Sequence, residues 1–296
     1  MVINITAHKL KEAKYYLSLS RPKHWLKNIF IFVPITFALA LTEWDELLAT
    51  TVVFAAFCLI SSAIYVINDI ADVEKDRKHP TKCMRPIASG KITIGKAIVF
   101  ALFLLGAGFA LIVTEQNYLA LLFAAIYFFL NIAYSFSLKH YAVIDCFCIA
   151  AGFVLRVFAG GTTYGGGISD WLFLTVVVMS LFMAFGKRRG EMLKTDSAST
   201  RKVLKNYNEL FLSGMVFSFA ALSIVFYSLW AMERGLNMIY TVPLVAFIMC
   251  KYLLLILDAD SHGDPTTVIF KSKTLLFACA VYGITTICLL YWGVVV

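Results

Sequence analysis

Apolar residues recur in nine blocks, most of them about 20 residues long, which is the length that an α-helix needs to cross a bilayer. The blocks lie at roughly 27–42, 47–68, 94–113, 118–137, 142–161, 170–186, 210–231, 238–257 and 274–295. Only 15% of the 296 residues are charged, whereas about a quarter are charged in a typical soluble domain. The sequence therefore predicts an all-α integral membrane protein, with nine transmembrane helices in a single polytopic domain over 1–296.

Basic residues are concentrated on one side of this predicted bundle. Lys and Arg gather in an N-terminal arm, 1–26, and in the loops 69–93, 187–208 and 258–273, while the alternate loops hold only Arg234. This asymmetry predicts a cytoplasmic N-terminus and an external C-terminus. Residues 1–27 are polar and basic, so we expect an amphipathic surface arm and no cleavable signal peptide. The net charge of +8 suits a membrane surface or phosphorylated substrates, and we expect no nucleic-acid partner.

The most unusual polar stretch follows the second apolar block and runs from Asn68 to Arg77. If the helix continues, Asp69, Asp72 and Asp76 lie at positions i, i+3 and i+7 and share one face. Carboxylates stacked in this way repel one another unless a cation holds them, and Mg²⁺ prefers such hard oxygen ligands. The pattern predicts a Mg²⁺ site formed by these three residues, and a solvated helix end is the simpler alternative.

A basic loop comes directly after the acidic stretch. Pro80 and Pro86 break any helix here, so we expect Arg77, Lys82 and Arg85 to lie near the carboxylates. A metal ion together with cationic side chains is the combination that a diphosphate requires. A loop that only orients the chain in the membrane is the alternative.

Further polar residues lie at the ends of apolar blocks or inside them. A helical reading of the N-terminal motif places Arg21, Trp25 and Asn28 on one face. Arg156 lies about 16 Å deeper along its helix than Asp145, so its charge should face the protein interior, either toward a substrate or in a structural pair. The remaining candidates for binding a substrate, several of which are equally explained as topology determinants, are Lys23, Lys27, Asn28, Asn68, Tyr134, Lys139, His140, Asp145, Arg156 and Lys187.

Two motifs carry a family resemblance. They read Asn68-Asp69-x-x-Asp72-x-x-x-Asp76 and Arg85-Pro86-Ile87-x-Ser89-Gly90. Together they resemble the first aspartate-rich motif of the UbiA superfamily of intramembrane prenyltransferases. The resemblance implies nine transmembrane helices around a central cavity that opens to the cytoplasm.

Three other segments are similar to one branch of that superfamily, the decaprenyl-phosphate phosphoribosyltransferases. The segments are Arg21-Pro22-x-x-Trp25-x-Lys27-Asn28, His79-Pro80-x-Lys82-x-x-Arg85-Pro86-Ile87-Ala88, and Tyr134-Ser135-x-x-Leu138-Lys139-His140 with Asp145. The branch implies transfer of 5-phosphoribose from phosphoribosyl diphosphate (PRPP) to a polyprenyl (decaprenyl) phosphate, with Mg²⁺ as cofactor and release of pyrophosphate. It also implies a bacterial cell (inner) membrane, a cytoplasmic active site and a role in cell-wall arabinan synthesis.

The residues favour that branch for a separate reason. An enzyme that prenylates an aromatic ring carries a second pair of Asp residues four positions apart, but Ile149 stands four positions after Asp145. One carboxylate beside Lys139 suits a lipid monophosphate better than a second metal-bound diphosphate. We therefore expect Lys139 to bind the lipid phosphate and Asp145 either to orient Lys139 or to contact the ribose.

Two alternatives to this function remain at the level of sequence. One is a UbiA-type enzyme that prenylates an aromatic or quinone-precursor acceptor from a prenyl diphosphate. The other is a transporter or lipid-binding membrane protein that performs no chemistry. A homo-oligomer is compatible with the sequence in each case.

Overall fold

The computed structural model describes residues 12–193, 202–235, 237–257 and 272–292. Within these ranges every regular element is a helix, which confirms the predicted all-α fold. The eight long helices, numbered in chain order, are α1 Trp44–Ala71, α2 Ile94–Thr114, α3 Tyr118–Phe136, α4 Ile144–Gly161, α5 Asp170–Met192, α6 Glu209–Arg234, α7 Val242–Leu257 and α8 Lys273–Trp292.

Shorter helical elements connect or precede the long ones. Residues 12–20 are helical, and two short α-helices cover Val33–Phe37 and Val73–Arg77. The 3-10 segments are Pro22–Phe32, Lys82–Met84, Leu138–His140, Lys202–Asn206 and Met238–Thr241.

Eight helical spans in the described residues are long and apolar enough to cross a membrane. They make the chain a multi-pass membrane protein, as the apolar blocks predict. The region predicted to form the first crossing, 27–42, does not form one long α-helix. It contains part of the 3-10 segment Pro22–Phe32 and the short helix Val33–Phe37. A 3-10 helix rises about 2 Å per residue, so 11 residues cover about 22 Å. The count of nine crossings, the central cavity and the orientation of the N-terminus stay predictions.

Parts of four predicted segments lie outside the described residues. They are the first 11 residues of the N-terminal arm, 194–201 of the loop 187–208, 258–271 of the loop 258–273, and 293–295 of the apolar block 274–295.

The segment Pro22–Phe32 is a 3-10 helix and not the expected α-helix. Its burial repeats every third residue: Lys23, Leu26 and Ile29 are exposed, whereas Asn28 and Ile31 are fully buried. A 3-10 helix has three residues per turn, so side chains three apart lie on one edge. The expectation that Arg21 shares a face with Trp25 and Asn28 is therefore wrong, because that grouping requires α-helical spacing.

The described residues divide into two compact units, so the single domain over 1–296 stays a prediction. The first unit contains Ala40–Ser135, Leu155–Gly165 and the N-terminal segment up to Ile35. Its core is α1 packed along α2, where Gly108 permits a close approach. A Cβ at Gly108 would lie only 2.8 Å from Ile60 Cγ1, so no larger residue fits without displacing α1.

The second unit contains Thr36–Leu39, Phe136–Val154 and the chain from Gly166 onward. Helices α5 and α6 pack along each other here. Phe185 on α5 is almost fully buried and stacks on Phe219 of α6, with ring centroids 5.6 Å apart. Burial of these aromatic faces holds the charged C-terminal end of α5 in a fixed position relative to α6.

Candidate active site

The acidic stretch lies where α1 ends. Asp72 leaves helical geometry, with φ −96° and ψ 8°, and separates α1 from the short helix Val73–Arg77. Asp72 N–H still donates to Asn68 O at 3.0 Å, and Asp76 N–H to Asp72 O at 2.9 Å. The side chains of Asp69 and Asp76 are only 5% exposed, against 35% for Asp72. The chain therefore bends at Asp72 and buries the two outer carboxylates.

Two arginines neutralise the buried carboxylates. Arg85 Nη1 lies 3.0 Å from Asp69 Oδ1 and 2.6 Å from Asp76 Oδ2, so one guanidinium links both acids. Arg21 Nη2 approaches Asp69 Oδ1 at 2.5 Å, and its guanidinium stacks over the Tyr65 ring at 4.9 Å from the centroid. Buried carboxylates need such partners because desolvation penalises an isolated charge.

Three hard oxygens in this cluster have no partner among the described residues. Asn68 Oδ1 is buried without a hydrogen bond, and the described bonds of the two acids involve only Asp69 Oδ1 and Asp76 Oδ2. The donor set fits Mg²⁺, which binds one or two carboxylates and completes its shell with water and phosphate oxygens. In the described residues no group of three or more His, Cys, Asp or Glu side chains is arranged to hold a metal ion, so the metal site of Asp69, Asp72 and Asp76 stays a prediction.

The other residues expected to bind metal or substrate have different described contacts, or are more exposed than Asp69 and Asp76. Asp72 pairs with Lys75 at 3.4 Å, and Arg77 pairs with Glu74 at 2.7 Å on an exposed surface. Lys82 is exposed. Lys23 and Lys27 are exposed and half-buried respectively. The proposed roles of these residues in binding metal or substrate stay predictions.

Arg156 is buried, as its depth in the sequence predicts. Its Nε donates to Asn28 Oδ1 at 2.7 Å, and its Nη2 donates to the Tyr127 hydroxyl at 2.7 Å. The guanidinium also lies over the Tyr127 ring, 4.5 Å from the centroid. Asn28 Nδ2 in turn donates to Cys58 Sγ and Ser61 Oγ of α1. Arg156 thus joins α3 and α4 to the 3-10 segment Pro22–Phe32.

Asp145 lies in a second buried network. Arg188 Nε donates to Asp145 Oδ2, and Arg188 Nη1 donates to Glu191 Oε2 at 2.7 Å. The Tyr207 hydroxyl donates to Asp145 Oδ1 at 2.7 Å and accepts Val143 N–H at 2.6 Å. Burial, and then the bond to Asp145, raises the pKa of Tyr207 above its ordinary value, so the phenol stays protonated.

The other expected site residues are spread over the ends of helices. Lys139 is half-buried and His140 exposed in the 3-10 segment Leu138–His140. Tyr134 is half-buried near the end of α3, and Lys187 is half-buried in α5. Their roles in binding the lipid phosphate are untested and stay predictions.

Sequence reasoning did not select several residues that the structure brings into these networks, among them Arg21, Arg188 and Tyr207. Arg21 could have been selected because it begins a family-like motif, but from this motif only Lys23, Lys27 and Asn28 were predicted to bind substrate. Arg188 stands directly beside the selected Lys187. Tyr207 had no signal beyond a polar loop, because its bonds to Val143 and Asp145 cross more than 60 residues.

Fold and site together define a helical multi-pass membrane protein with a buried acidic cluster held by arginines. The profile of the UbiA prenyltransferase family matches residues 29–274. The chain belongs to this family and is an enzyme of the transferase class, as the acidic motif predicts.

Comparison with individual proteins narrows the relationship. The chain is 35% identical over 268 residues to the decaprenyl-phosphate phosphoribosyltransferase of Corynebacterium glutamicum, covering 86% of this chain and 80% of that protein. It is 34% identical over 273 residues to the enzyme of the same name from Mycolicibacterium smegmatis, covering 86% of each. The structure of a UbiA homolog from Archaeoglobus fulgidus bound to GPP and Mg²⁺ has a TM-score of 0.74 at 16% identity, covering 95% of this chain and 100% of that one. The last match concerns the fold alone.

Proposed function

We propose that this protein transfers 5-phosphoribose from PRPP to a polyprenyl (decaprenyl) phosphate and releases pyrophosphate, with Mg²⁺ as cofactor. The observation that carries the proposal is the difference between its two acidic sites. Asp69 and Asp76 each keep an oxygen without a described partner, and Asn68, which precedes Asp69 in the sequence, has a buried Oδ1 without a hydrogen bond. Asp145, by contrast, is fully buried with both oxygens engaged.

One open acidic site suits one diphosphate substrate. An aromatic prenyltransferase of the kind considered above needs a second carboxylate pair, and Asp145 has neither a carboxylate neighbour four positions on nor free access. The relatives from Corynebacterium and Mycolicibacterium, whose names state the proposed activity, support the same substrate class. We infer that the acceptor is a lipid monophosphate, which a lysine binds as a point charge.

The donor site is assigned to the cluster at the end of α1. Asn68, Asp69, Asp72 and Asp76 would hold Mg²⁺, which when bound neutralises the charge of the departing pyrophosphate. Arg85 bonds to the carboxylates through Nη1 and retains other N–H groups for diphosphate oxygens. Arg77 and Lys82 complete the proposed set of cations, which stabilises the leaving group electrostatically.

The acceptor needs positioning more than activation. A phosphate monoester is already ionised at neutral pH, so its oxygen attacks C1 of the ribose without a strong general base. The bond from C1 to the pyrophosphate oxygen breaks as the bond to the lipid phosphate oxygen forms. We assign Lys139, Tyr134 and Lys187 to the lipid phosphate, with His140, Lys23 and Lys27 as further basic groups near the headgroup.

The proposed setting follows from this chemistry. PRPP is a soluble, highly charged compound, so its site should face the cytoplasm of a bacterial cell (inner) membrane, while the polyprenyl tail stays among apolar helices. The product would be a lipid-linked pentose phosphate for cell-wall arabinan.

Transfer of label tests the proposal directly. Purified protein is incubated with Mg²⁺, radiolabelled PRPP and polyprenyl phosphate, and the lipids are extracted. We expect label in the lipid fraction, none after chelation of divalent metal, and none with Asp72→Ala. Glu74→Gln is the matched control, because Glu74 is an exposed acid whose described ion pair is with Arg77.

Two results would contradict the proposal. Product formed only when a prenyl diphosphate and an aromatic acid are supplied would establish the quinone-precursor prenyltransferase instead. Undiminished transfer by Asp72→Ala at saturating Mg²⁺ would refute its assignment to the metal.

A further inference from the structure

The turn between Tyr141 and Asp145 has a backbone conformation that its own residues disfavour. Val143 has φ 69°, and Ile144 N–H donates to Ala142 O at 2.8 Å, which closes a three-residue γ-turn around Val143. A β-branched residue is an outlier at positive φ, and a γ-turn of this hand is rare and strained. Contacts from elsewhere must therefore determine the conformation.

Those contacts come from Tyr207, more than 60 residues away in the chain. Its hydroxyl accepts Val143 N–H at 2.6 Å and donates to Asp145 Oδ1 at 2.7 Å. One phenol thereby binds the turn at its centre and the first turn of α4. Arg188 fixes the other oxygen of Asp145, and the side chains of both residues are 0% exposed.

Neither Tyr207 nor Asp145 is available to a substrate. A phenol has one O–H to donate, and Tyr207 uses it on Asp145 while its oxygen accepts Val143 N–H. Both carboxylate oxygens of Asp145 already accept hydrogen bonds, and the side chain is sealed from solvent. The network therefore acts on the shape of the chain and not on reacting atoms.

The segment that this network shapes carries Lys139 and His140. The 3-10 segment Leu138–His140 packs against Lys202–Asn206, which leads directly into Tyr207. Asp145 N–H donates to Tyr141 O at 3.1 Å, so the turn is tied to α4 at both ends. Only residues 141–144 separate His140 from Asp145. The direction of the γ-turn consequently sets where Lys139 and His140 lie relative to α4.

We propose that Tyr207 is a positioning residue, which acts through Val143 and Asp145 to hold the Lys139–His140 segment in place for the lipid phosphate acceptor. This inference rests on the proposed function, because that function assigns the lipid phosphate to Lys139. It also changes the expected role of Asp145, which orients the segment and does not contact the ribose.

Tyr207→Phe tests the inference in the full-length protein reconstituted in lipid nanodiscs. Loss of the hydroxyl that bonds to both Val143 and Asp145 should raise KM for polyprenyl phosphate about tenfold, while KM for PRPP stays unchanged. Hydrogen exchange of peptides covering 138–147 should accelerate, because the Val143 amide loses its acceptor. Tyr141→Phe, in the same turn but 56% exposed, should alter neither measurement. An unchanged KM for polyprenyl phosphate in Tyr207→Phe would overturn the inference.

A second variant separates positioning from direct contact. Glycine adopts positive φ without a Cβ clash, so Val143→Gly added to Tyr207→Phe should restore part of the lost affinity for polyprenyl phosphate. The double variant also serves if Tyr207→Phe alone does not fold, because recovery of folded, active protein supports the same conclusion. A double variant as impaired as the single one would mean that Tyr207 acts on the substrate itself.

Failure of the inference is distinguishable from failure of the proposed function. Wild-type protein that puts no label from PRPP into lipid would refute the function. The hydrogen-exchange comparison does not depend on catalysis. Unchanged exchange over 138–147 in Tyr207→Phe would alone refute the claim that Tyr207 stabilises the turn.

Discussion

Replacement of Arg156 by leucine tests whether this buried cation binds substrate or holds the helices together. Arg156 makes two hydrogen bonds of 2.7 Å, to Asn28 Oδ1 and to the Tyr127 hydroxyl. A hydrogen bond to a charged group contributes about 1.5–3 kcal/mol, so the two bonds contribute about 3–6 kcal/mol. Removing the buried charge also removes its desolvation penalty, which brings the expected net loss to the lower end of that range.

The expected loss is large enough to measure in a membrane protein. A loss of about 3 kcal/mol lowers the melting temperature by about 6–12 °C for a chain of this order of size. Unfolding is followed with a thiol-reactive fluorophore, which reports when the buried thiols of Cys58 and Cys146 become accessible, above the signal from more exposed cysteines such as Cys250. Tyr127→Phe is the matched variant, since it removes one of the two bonds and should cause about half the shift.

Activity distinguishes the two roles of Arg156. If Arg156 is structural, Arg156→Leu should retain its KM for both substrates when assayed well below its melting temperature. A variant that melts like wild type but has a raised KM for polyprenyl phosphate would refute this reasoning and assign Arg156 to the lipid phosphate.

Three further outcomes follow from single positions. Gly160→Ala should strongly reduce the yield of folded protein, because a Cβ there would lie 1.9 Å from Ile31 O; Gly106→Ala, with no atom within 4 Å, should melt no lower than wild type. Arg85→Lys keeps a cation between the carboxylates but loses donors for the diphosphate, so KM for PRPP should rise about tenfold with little change in melting temperature. The raised pKa of Tyr207 means that its stabilising protonated form is fully present below the unfolded pKa of about 10 and is lost only as pH rises through the higher folded value. The difference in melting temperature between wild type and Tyr207→Phe should therefore stay constant from about pH 6 to about pH 9, and a difference that disappears in this interval would contradict the assignment.

The local sequence was enough to predict the long helices and the acidic cluster. Apolar blocks of bilayer length fix where helices form because lipid leaves the backbone no other way to satisfy its hydrogen bonds. Asp69, Asp76 and Arg85 lie within 17 consecutive residues, so a helix end followed by a proline-rich loop was sufficient to bring Arg85 back toward the acids. The burial of Arg156 was predictable for a similar reason, since its depth in an apolar block leaves a charge few other places.

Long-range partners were not predictable from local pattern. The positive φ of Val143 depends on a phenol supplied by Tyr207, and nothing in the sequence around Val143 indicates that turn. The buried network of Asp145 was not predictable because its partner, Arg188, is 43 residues away. The 3-10 geometry of Pro22–Phe32 was missed because an apolar run with a proline in its first turn is equally typical of an α-helix.

The 3-10 segment Pro22–Phe32 makes the chain unusually strict about length at its N-terminal side. One residue inserted after Trp25 would rotate every later side chain by about 120°, which would turn Asn28 outward and leave Arg156 without its acceptor. Three inserted residues would restore the angle but add about 6 Å of length, and Ile31 would no longer meet Gly160. The rotation of the side chains and the length of the segment therefore change together. An insertion of one or three residues cannot keep both the Asn28–Arg156 bond and the Ile31–Gly160 contact. Gene fusions and epitope tags placed before residue 12 avoid this constraint, whereas insertions between 22 and 32 do not.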